Sequence, residues 1–141
     1  MARQERDEER AAHWLERAAE REVPVAQYNL GLLLMRGEGT AADERRGAEL
    51  VQRAAEGGLA EAQAKLGLMY EHGSGVQQNL VSAHLWYSLA AASGAGDAAL
   101  QRERLERSME QYQIAYSQRL AGEWSASRAD AGGDESLAQA R

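Results

Sequence analysis

Apolar side chains recur along this chain at spacings of three and four residues, the period of a helix that buries one side. On a first segment, residues 3–22, the apolar positions are Ala11, Trp14, Leu15, Ala18 and Ala19. On the next segment, residues 25–36, they are Ala26, Leu30, Gly31 and Leu34. Ala supplies much of this apolar surface, Phe is absent and Pro24 is the single proline, which is typical of helix-on-helix packing. The pattern predicts an all-α fold.

The same pattern returns after 36 residues. Shifting the chain by this distance superimposes seven residues of one segment, Ala26, Gln27, Leu30, Gly31, Leu32, Gly37 and Gly39, on Ala62, Gln63, Leu66, Gly67, Leu68, Gly73 and Gly75. A period of this length is typical of stacked helical pairs, each of which buries its apolar side against its neighbours. The repeat therefore predicts a solenoid with an extended concave surface.

Glycines and short polar residues set the expected helix boundaries. The predicted helices cover residues 25–36, 44–56, 60–72 and 80–93, with Gly37 and Gly73 as C-caps and Asp43 and Asn79 as N-caps. A closing pair is expected at 97–107 and from the N-cap Ser108, with Gln111 in a capping box, to near Trp124. The solenoid would thus occupy residues 1–124, as a half-repeat (11–23), two repeats (25–58 and 60–94) and closing helices (97–124). Residues 125–141 hold little apolar surface and are expected to be disordered.

Charge and composition exclude several function classes. The net charge is −6 and no basic stripe stands out, which argues against a nucleic-acid partner. The chain has no cysteine, so disulfides, thiolate metal sites and cysteine nucleophiles are excluded. The charged start, residues 1–10, is followed by no apolar signal region, and no stretch is long enough to span a membrane. We expect a cytoplasmic protein, or a periplasmic one if the chain is a fragment of an exported precursor.

Candidate catalytic and ligand motifs are weak. The Gly-x-Gly turns at 37–39 and 73–75 lack a third glycine, a preceding strand and a P-loop Lys-Ser/Thr, so no nucleotide site is expected. His13, His72 and His84 have no metal-ligand spacing and are expected to be half-exposed. With no visible nucleophile–base arrangement, we expect neither catalysis nor a cofactor.

Aromatic positions follow the same 36-residue register. Trp14, Leu50 and Trp86 are equivalent and are expected to pack in the core or between repeats. Trp124 and the pair Tyr112/Tyr116 are expected to form the seam of the last helix.

The repeated motif resembles a known family. It reads Ala-Gln-x-x-Leu-Gly, then Gly-x-Gly, then Asn or Asp, then a helix ending in Ala-Ala. It is similar to the Sel-one-like repeats, a branch of the tetratricopeptide-type helical repeats. The second unit, Ala62 to Gly94, matches best and includes Tyr70 and Trp86-Tyr87, while the segment 105–124 resembles the closing helices of short bacterial members. The resemblance implies a right-handed α-solenoid that acts as an adaptor or scaffold for protein–protein contact, without catalysis.

One face of the leading helices is the candidate binding surface. In the tetratricopeptide arrangement the side carrying Tyr28, Leu32, Met35 and Arg36 lines the concave groove. Its equivalents are Ala64, Leu68, Glu71 and His72 in the second repeat, and Leu100, Arg104 and Arg107 in the closing unit. This predicts a groove that is apolar at one end, acidic in the middle and basic at the other, suited to a peptide or partner protein.

Two alternatives remain open at this point. Leu32, Met35 and Leu68 could fill superhelical packing and leave no groove. The chain could also be a structural segment whose ends stack on more repeats or on a second copy, so that oligomerisation is its main activity.

Overall fold

The computed structural model describes residues 2–38 and 42–139, with side chains described as far as Ala129. Within these ranges the chain forms helices and no strand. The seven helices are α1 (Arg3–Glu20), α2 (Pro24–Arg36), α3 (Glu44–Glu56), α4 (Ala60–His72), α5 (Leu80–Ala92), α6 (Ala98–Glu106) and α7 (Gln111–Gln139). The predicted all-α fold is confirmed.

Equivalent cap residues produce equivalent helix ends. Gly37 and Gly73 both have φ 72°, a left-handed conformation that glycine adopts without strain, and they end α2 and α4. The Asp43 carboxylate accepts from the Arg46 backbone N–H at 3.0 Å, and the Asn79 side chain accepts from that of Ser82 at 3.0 Å. The predicted turn residue Gly39 lies outside the described residues. The two repeats therefore share their local geometry as well as their sequence pattern.

The core runs through the stack from one helix pair to the next. Helices α1 to α5 each pack against the following helix, and α7 packs against α5. The largest buried cluster joins α3, α4 and α5, and its residues are Ala48, Val51, Ala54, Ala55, Ala62, Leu66, Met69, Trp86 and Leu89. Alanine dominates this cluster, and its small side chain lets neighbouring helices approach closely. The core is therefore continuous from repeat to repeat.

Glycine is required where α2 meets α3. A Cβ atom added to Gly47 would lie 2.6 Å from the carbonyl oxygen of Gly31 and 2.5 Å from Cγ of Met35. Gly31 contacts both Gly47 and Val51, whereas Met35, one turn later, contacts Gly47, so the two helices run antiparallel. The absence of side chains at this crossing is what allows the two backbones to touch.

The glutamine of the repeated Ala-Gln pair has a structural role. Gln63 is fully buried on α4, and its Nε2 donates to the carbonyl oxygen of Ala55 at 3.2 Å, near the end of α3. This bond satisfies a carbonyl group of the last helical turn and fixes α4 against α3. The equivalent Gln27 is also buried on α2.

The closing helices differ from the prediction. Ser108 lies in the turn, and α7 starts after Glu110, whose backbone N–H donates to Oε1 of Gln113 at 2.8 Å. Helix α7 does not end near Trp124 but continues to Gln139, so residues 125–139, which we expected to be disordered, are helical. Within this extension the Arg128 guanidinium donates to the Glu56 carbonyl oxygen at the end of α3. Residues 140 and 141 lie outside the described part.

Aromatic side chains also depart from the predicted packing at both ends of the stack. Leu50 and Trp86 are buried as expected, but the equivalent Trp14 is 66% exposed. Tyr112 and Tyr116 are exposed as well and do not form the seam of α7. That seam includes Trp124, whose ring meets Trp86 edge-on with centroids 5.9 Å apart. The predicted contacts fail for Trp14 because no helix packs on its side of α1 within the described chain.

Candidate functional site

A recess of about 430 Å³ opens on the side of the stack formed by the leading helices α2, α4 and α6. Tyr28 closes one end, α4 supplies Glu61, Ala64, Lys65 and Leu68, and the start of α6 supplies Asp97 and Gln101. Tyr28 and Leu68, which come from different repeats, therefore line one and the same space. We call this space the concave recess.

The lining repeats with the period of the sequence. Asp97 is equivalent to Glu61 and Gln101 to Lys65, so α4 and α6 present the same helical side to the recess one period apart. Glu61 and Lys65 lie in the first two turns of α4, and Asp97 is the N-cap residue of α6, with Gln101 in its first turn. The recess consequently sits at the N-terminal ends of α4 and α6.

Two carboxylates and one ammonium group give the recess its charge. Glu61 and Asp97 are exposed, while Lys65 is half-buried. Burial raises the pKa of the Tyr28 phenol, the negative charge of Glu61 raises it further, and Arg36 lowers it. The Tyr28 hydroxyl therefore keeps its proton at neutral pH and can donate a hydrogen bond to a ligand.

The four groove residues predicted on α2 have different surroundings in the structure. Tyr28 lines the recess, and Leu32 is half-buried on the same helix. Met35 instead packs against the main core and against Gly47 of α3, so its assignment to the groove is wrong. Arg36 is exposed at the end of α2 beside Glu38, with 4.0 Å between their charged atoms, and is not among the recess residues.

Glu71 and Arg104, predicted as the acidic and basic parts of the groove, interact with each other. Oε1 of Glu71 lies 3.6 Å from Nη2 of Arg104 and accepts from the Tyr87 hydroxyl at 2.7 Å. The Glu71 carboxylate is largely buried, and the contact links α4, α5 and α6. The predicted charge gradient is therefore replaced by an ion pair between the largely buried Glu71 and the exposed Arg104. His72, next to Glu71, is exposed and outside the recess.

Glu61, Lys65, Asp97 and Gln101 were missed by sequence reasoning. The signal was available, because Glu61 and Lys65 flank Ala64 on the same side of one helix and recur as Asp97 and Gln101. The predicted binding face included residues near the C-terminal ends of the leading helices, whereas the recess lies near their N-terminal ends.

A buried polar network joins the last three helices. His84, predicted to be half-exposed, is 1% exposed; its Nδ1 lies 2.7 Å from Oγ of Ser117 and its Nε2 lies 2.8 Å from Oε1 of Glu106. In the tautomer that carries its proton on Nε2, His84 donates to the Glu106 carboxylate and its Nδ1 accepts from the serine hydroxyl. The sequence did not reveal this contact between a serine hydroxyl and an imidazole ring. Ser117 is fully buried, so in this conformation the hydroxyl is out of reach of a substrate.

The described ranges contain neither a cluster of metal-ligating side chains nor a helix suited to cross a membrane. No group of three or more His, Asp or Glu side chains there is arranged to hold a metal ion. None of the described helices combines the length and apolarity that crossing a membrane requires.

A comparison with known protein families identifies the family of this chain. The model of the Sel1 repeat matches residues 3–23, 24–59 and 60–94, which together make up most of the chain. The chain belongs to the Sel1 repeat family. In this family's register α1 is the second helix of a repeat, and α2–α3 and α4–α5 are two complete Sel1 repeats. No curated protein sequence matches the chain significantly.

Solved Sel1 repeat structures share the fold. One is c5321, a protective antigen of uropathogenic Escherichia coli with an SLR fold, which superimposes with a TM-score of 0.79 at 31% identity. Another is a Sel1 repeat protein from Oxalobacter formigenes, with a TM-score of 0.65 at 34% identity. These alignments cover 82% and 67% of the present chain but only 25% and 39% of the two relatives. The chain thus spans about a quarter and two fifths of their lengths.

Proposed function

We propose that this Sel1 repeat chain is a non-catalytic adaptor or scaffold that binds an extended segment of a partner protein in the concave recess. The observation that carries the proposal is the construction of the recess from the leading helices of three successive helical pairs. Surfaces of this kind are what stacked helical repeats use to hold partners. The complete burial of Ser117 supports the non-catalytic part of the proposal.

The lining of the recess favours a polypeptide over an enclosed small molecule. Ala64 and Leu68 form an apolar strip, and Glu61, Lys65 and Gln101 surround it with charged and amide groups. An apolar side chain of the partner can lie on the strip while its neighbours reach the polar groups. Small-molecule sites usually enclose most of the ligand surface, whereas both recess carboxylates here are exposed.

A matched pair of leucine substitutions tests the proposal. Peptides selected from a random phage-displayed library on the folded chain are synthesised and titrated against the wild type, Leu68→Ser and Leu100→Ser. Leu68 lines the recess, whereas Leu100, which the sequence placed on the same face, is an exposed leucine of α6 outside its lining. Loss of one apolar contact is expected to weaken binding of the peptides about tenfold in Leu68→Ser. Leu100→Ser is expected to bind like the wild type.

Circular dichroism confirms that both variants remain folded before the titrations are compared. Equal affinities for the wild type and Leu68→Ser would refute binding in the recess. An equal loss in both variants would show that the peptides recognise exposed leucines in general, which would also refute it.

A further inference from the structure

The N-terminal ends of α4 and α6 hold charges that the described part of the chain does not neutralise. Among the described residues, no oppositely charged side chain forms an ion pair with Glu61, Lys65 or Asp97, which all line the concave recess. Farther along the same two helices, Glu71 of α4 is paired with Arg104 of α6, with 3.6 Å between Oε1 and Nη2. The described chain therefore supplies a cation to the carboxylate outside the recess and none that pairs with the two carboxylates inside it.

These two carboxylates act on the same space. Glu61 and Asp97 are equivalent at 36 residues, lie at the starts of α4 and α6, and are both exposed. Lys65 is the one cationic side chain in the described lining, so the recess has a net negative charge. A guanidinium or ammonium group that enters between the two helix starts can approach both carboxylates and is favoured there by this charge.

Hydrogen-bond donors line the rest of the recess. Lys65 and Gln101 are half-buried, and their side-chain N–H groups form no hydrogen bond with a described residue. The Tyr28 hydroxyl is a third donor in the lining. An extended segment carries backbone carbonyl groups that accept from donors of this kind. The recess can therefore hold the backbone of a segment with its donors and a basic side chain with its carboxylates.

We propose that the partner segment bound in the concave recess is basic, with an Arg or Lys side chain that lies between Glu61 and Asp97. The inference rests on the proposed function and adds the chemistry of the partner. Leu68, which receives the apolar side chain, follows Glu61 by seven residues on α4. Seven residues of helix span about 10 Å, a distance that an extended segment covers in about three residues. The basic residue of the partner is therefore placed about three residues from its apolar anchor.

Peptides selected from the random phage-displayed library on the wild-type chain test this chemistry. Their sequences are expected to be enriched in Arg or Lys near an apolar residue. Glu61→Gln and Asp97→Asn are each expected to weaken binding of the synthetic peptides about threefold, and together about tenfold. Glu103→Gln removes an exposed carboxylate of α6 outside the lining and is expected to bind like the wild type. Circular dichroism confirms that the variants remain folded.

A double-mutant cycle separates direct contact from a general effect of charge. Replacing the basic residue of a selected peptide by Gln is expected to weaken binding to the wild type about tenfold and binding to the Glu61→Gln/Asp97→Asn double variant little. Lys65→Gln keeps a donor and removes a like charge, so this variant is expected to bind the basic peptides at least as tightly as the wild type. If Lys65→Gln lost as much affinity as Asp97→Asn, the recess would recognise an acidic group and the proposal would be wrong.

The Leu68→Ser titration distinguishes this inference from the proposed function. Weaker binding in Leu68→Ser with unchanged binding in the Glu61→Gln/Asp97→Asn double variant would leave the recess as the binding site and overturn the basic segment. Equal affinities for the wild type and Leu68→Ser would overturn both. Selected peptides without enrichment of Arg or Lys, or an equal loss in Glu103→Gln, would contradict the basic segment alone.

Discussion

Replacement of Gly47 by alanine is the sharpest test of the close helix crossing. The added Cβ would lie 2.6 Å from the Gly31 carbonyl oxygen and 2.5 Å from Cγ of Met35. Met35 can change rotamer, but the carbonyl belongs to the backbone of α2, so the two helices must separate. Overpacking of this kind costs up to about 3 kcal/mol, and the better helix propensity of alanine recovers about 1 kcal/mol. The expected net loss of unfolding free energy is about 2 kcal/mol.

Gly122 provides the matched control for this substitution. It is an exposed glycine of α7, and a Cβ added there meets no atom within 4 Å. Gly122→Ala is therefore expected to gain about 1 kcal/mol from helix propensity alone, so the two variants should differ by about 3 kcal/mol. Urea unfolding followed by far-ultraviolet circular dichroism measures both. A Gly47→Ala variant as stable as Gly122→Ala would refute the contact between α2 and α3.

Three further substitutions test local features of the fold. Glu22 has φ 58° where the equivalent residues are Gly58 and Gly94, so Glu22→Gly should relieve strain and raise stability by up to about 1 kcal/mol, measured as a urea midpoint. Ser117→Ala leaves Nδ1 of His84 buried without a partner and should lower the unfolding free energy by about 1–3 kcal/mol in the same assay. Burial, and then the hydrogen bond to Glu71, raise the pKa of Tyr87 above its ordinary value of 10.0. The folded chain therefore holds the Tyr87 proton more tightly than the unfolded chain does. This contribution to the unfolding free energy is complete below pH 10 and is lost as the pH rises above that value. In Tyr87→Phe, unfolding midpoints measured across this pH range should fall less steeply than in the wild type.

Each of these three predictions has an outcome that would contradict it. A lower midpoint for Glu22→Gly would mean that the loss of chain entropy at glycine outweighs the strain. An unchanged midpoint for Ser117→Ala would show that Nδ1 of His84 is satisfied without the serine hydroxyl. If the unfolding midpoints of Tyr87→Phe and the wild type fell equally steeply above pH 10, Tyr87 would not be the group responsible for the loss of stability.

Local signals predicted the repeat helices well. The bounds of α3 and α4 coincide with the expected 44–56 and 60–72, because an N-cap, a C-cap glycine or a Gly-Gly pair marks their ends. The 36-residue register also brought Tyr28 and Leu68 together in one recess, since the register reports how helices stack and not only where they begin. Local capping chemistry and the repeat period were sufficient for this part of the chain.

The register stops after α6, and the prediction failed for α7. Beyond Asp97 no period indicates which side of α7 faces α5, so the partners of His84 could not be found from spacing. Whether one side of a helix is buried also depends on a neighbouring helix, and the sequence pattern does not show whether that helix is present. Trp14 has the same register position as Trp86, yet only Trp86 has helices packed around it. At the ends of the stack, the exposure of a side chain depends on whether another helix packs against it. Sequence periodicity describes only the helix that carries the side chain.

Helix α7 sets the smallest unit that can be grafted onto another protein. If the chain were cut after Gly96, Trp86 would lose the indole ring that lies edge-on against it, and both ring nitrogens of His84 would lose their partners. A portable version of the two repeats must therefore retain the segment through Trp124, which covers α5, even though no described side chain of α7 lines the recess.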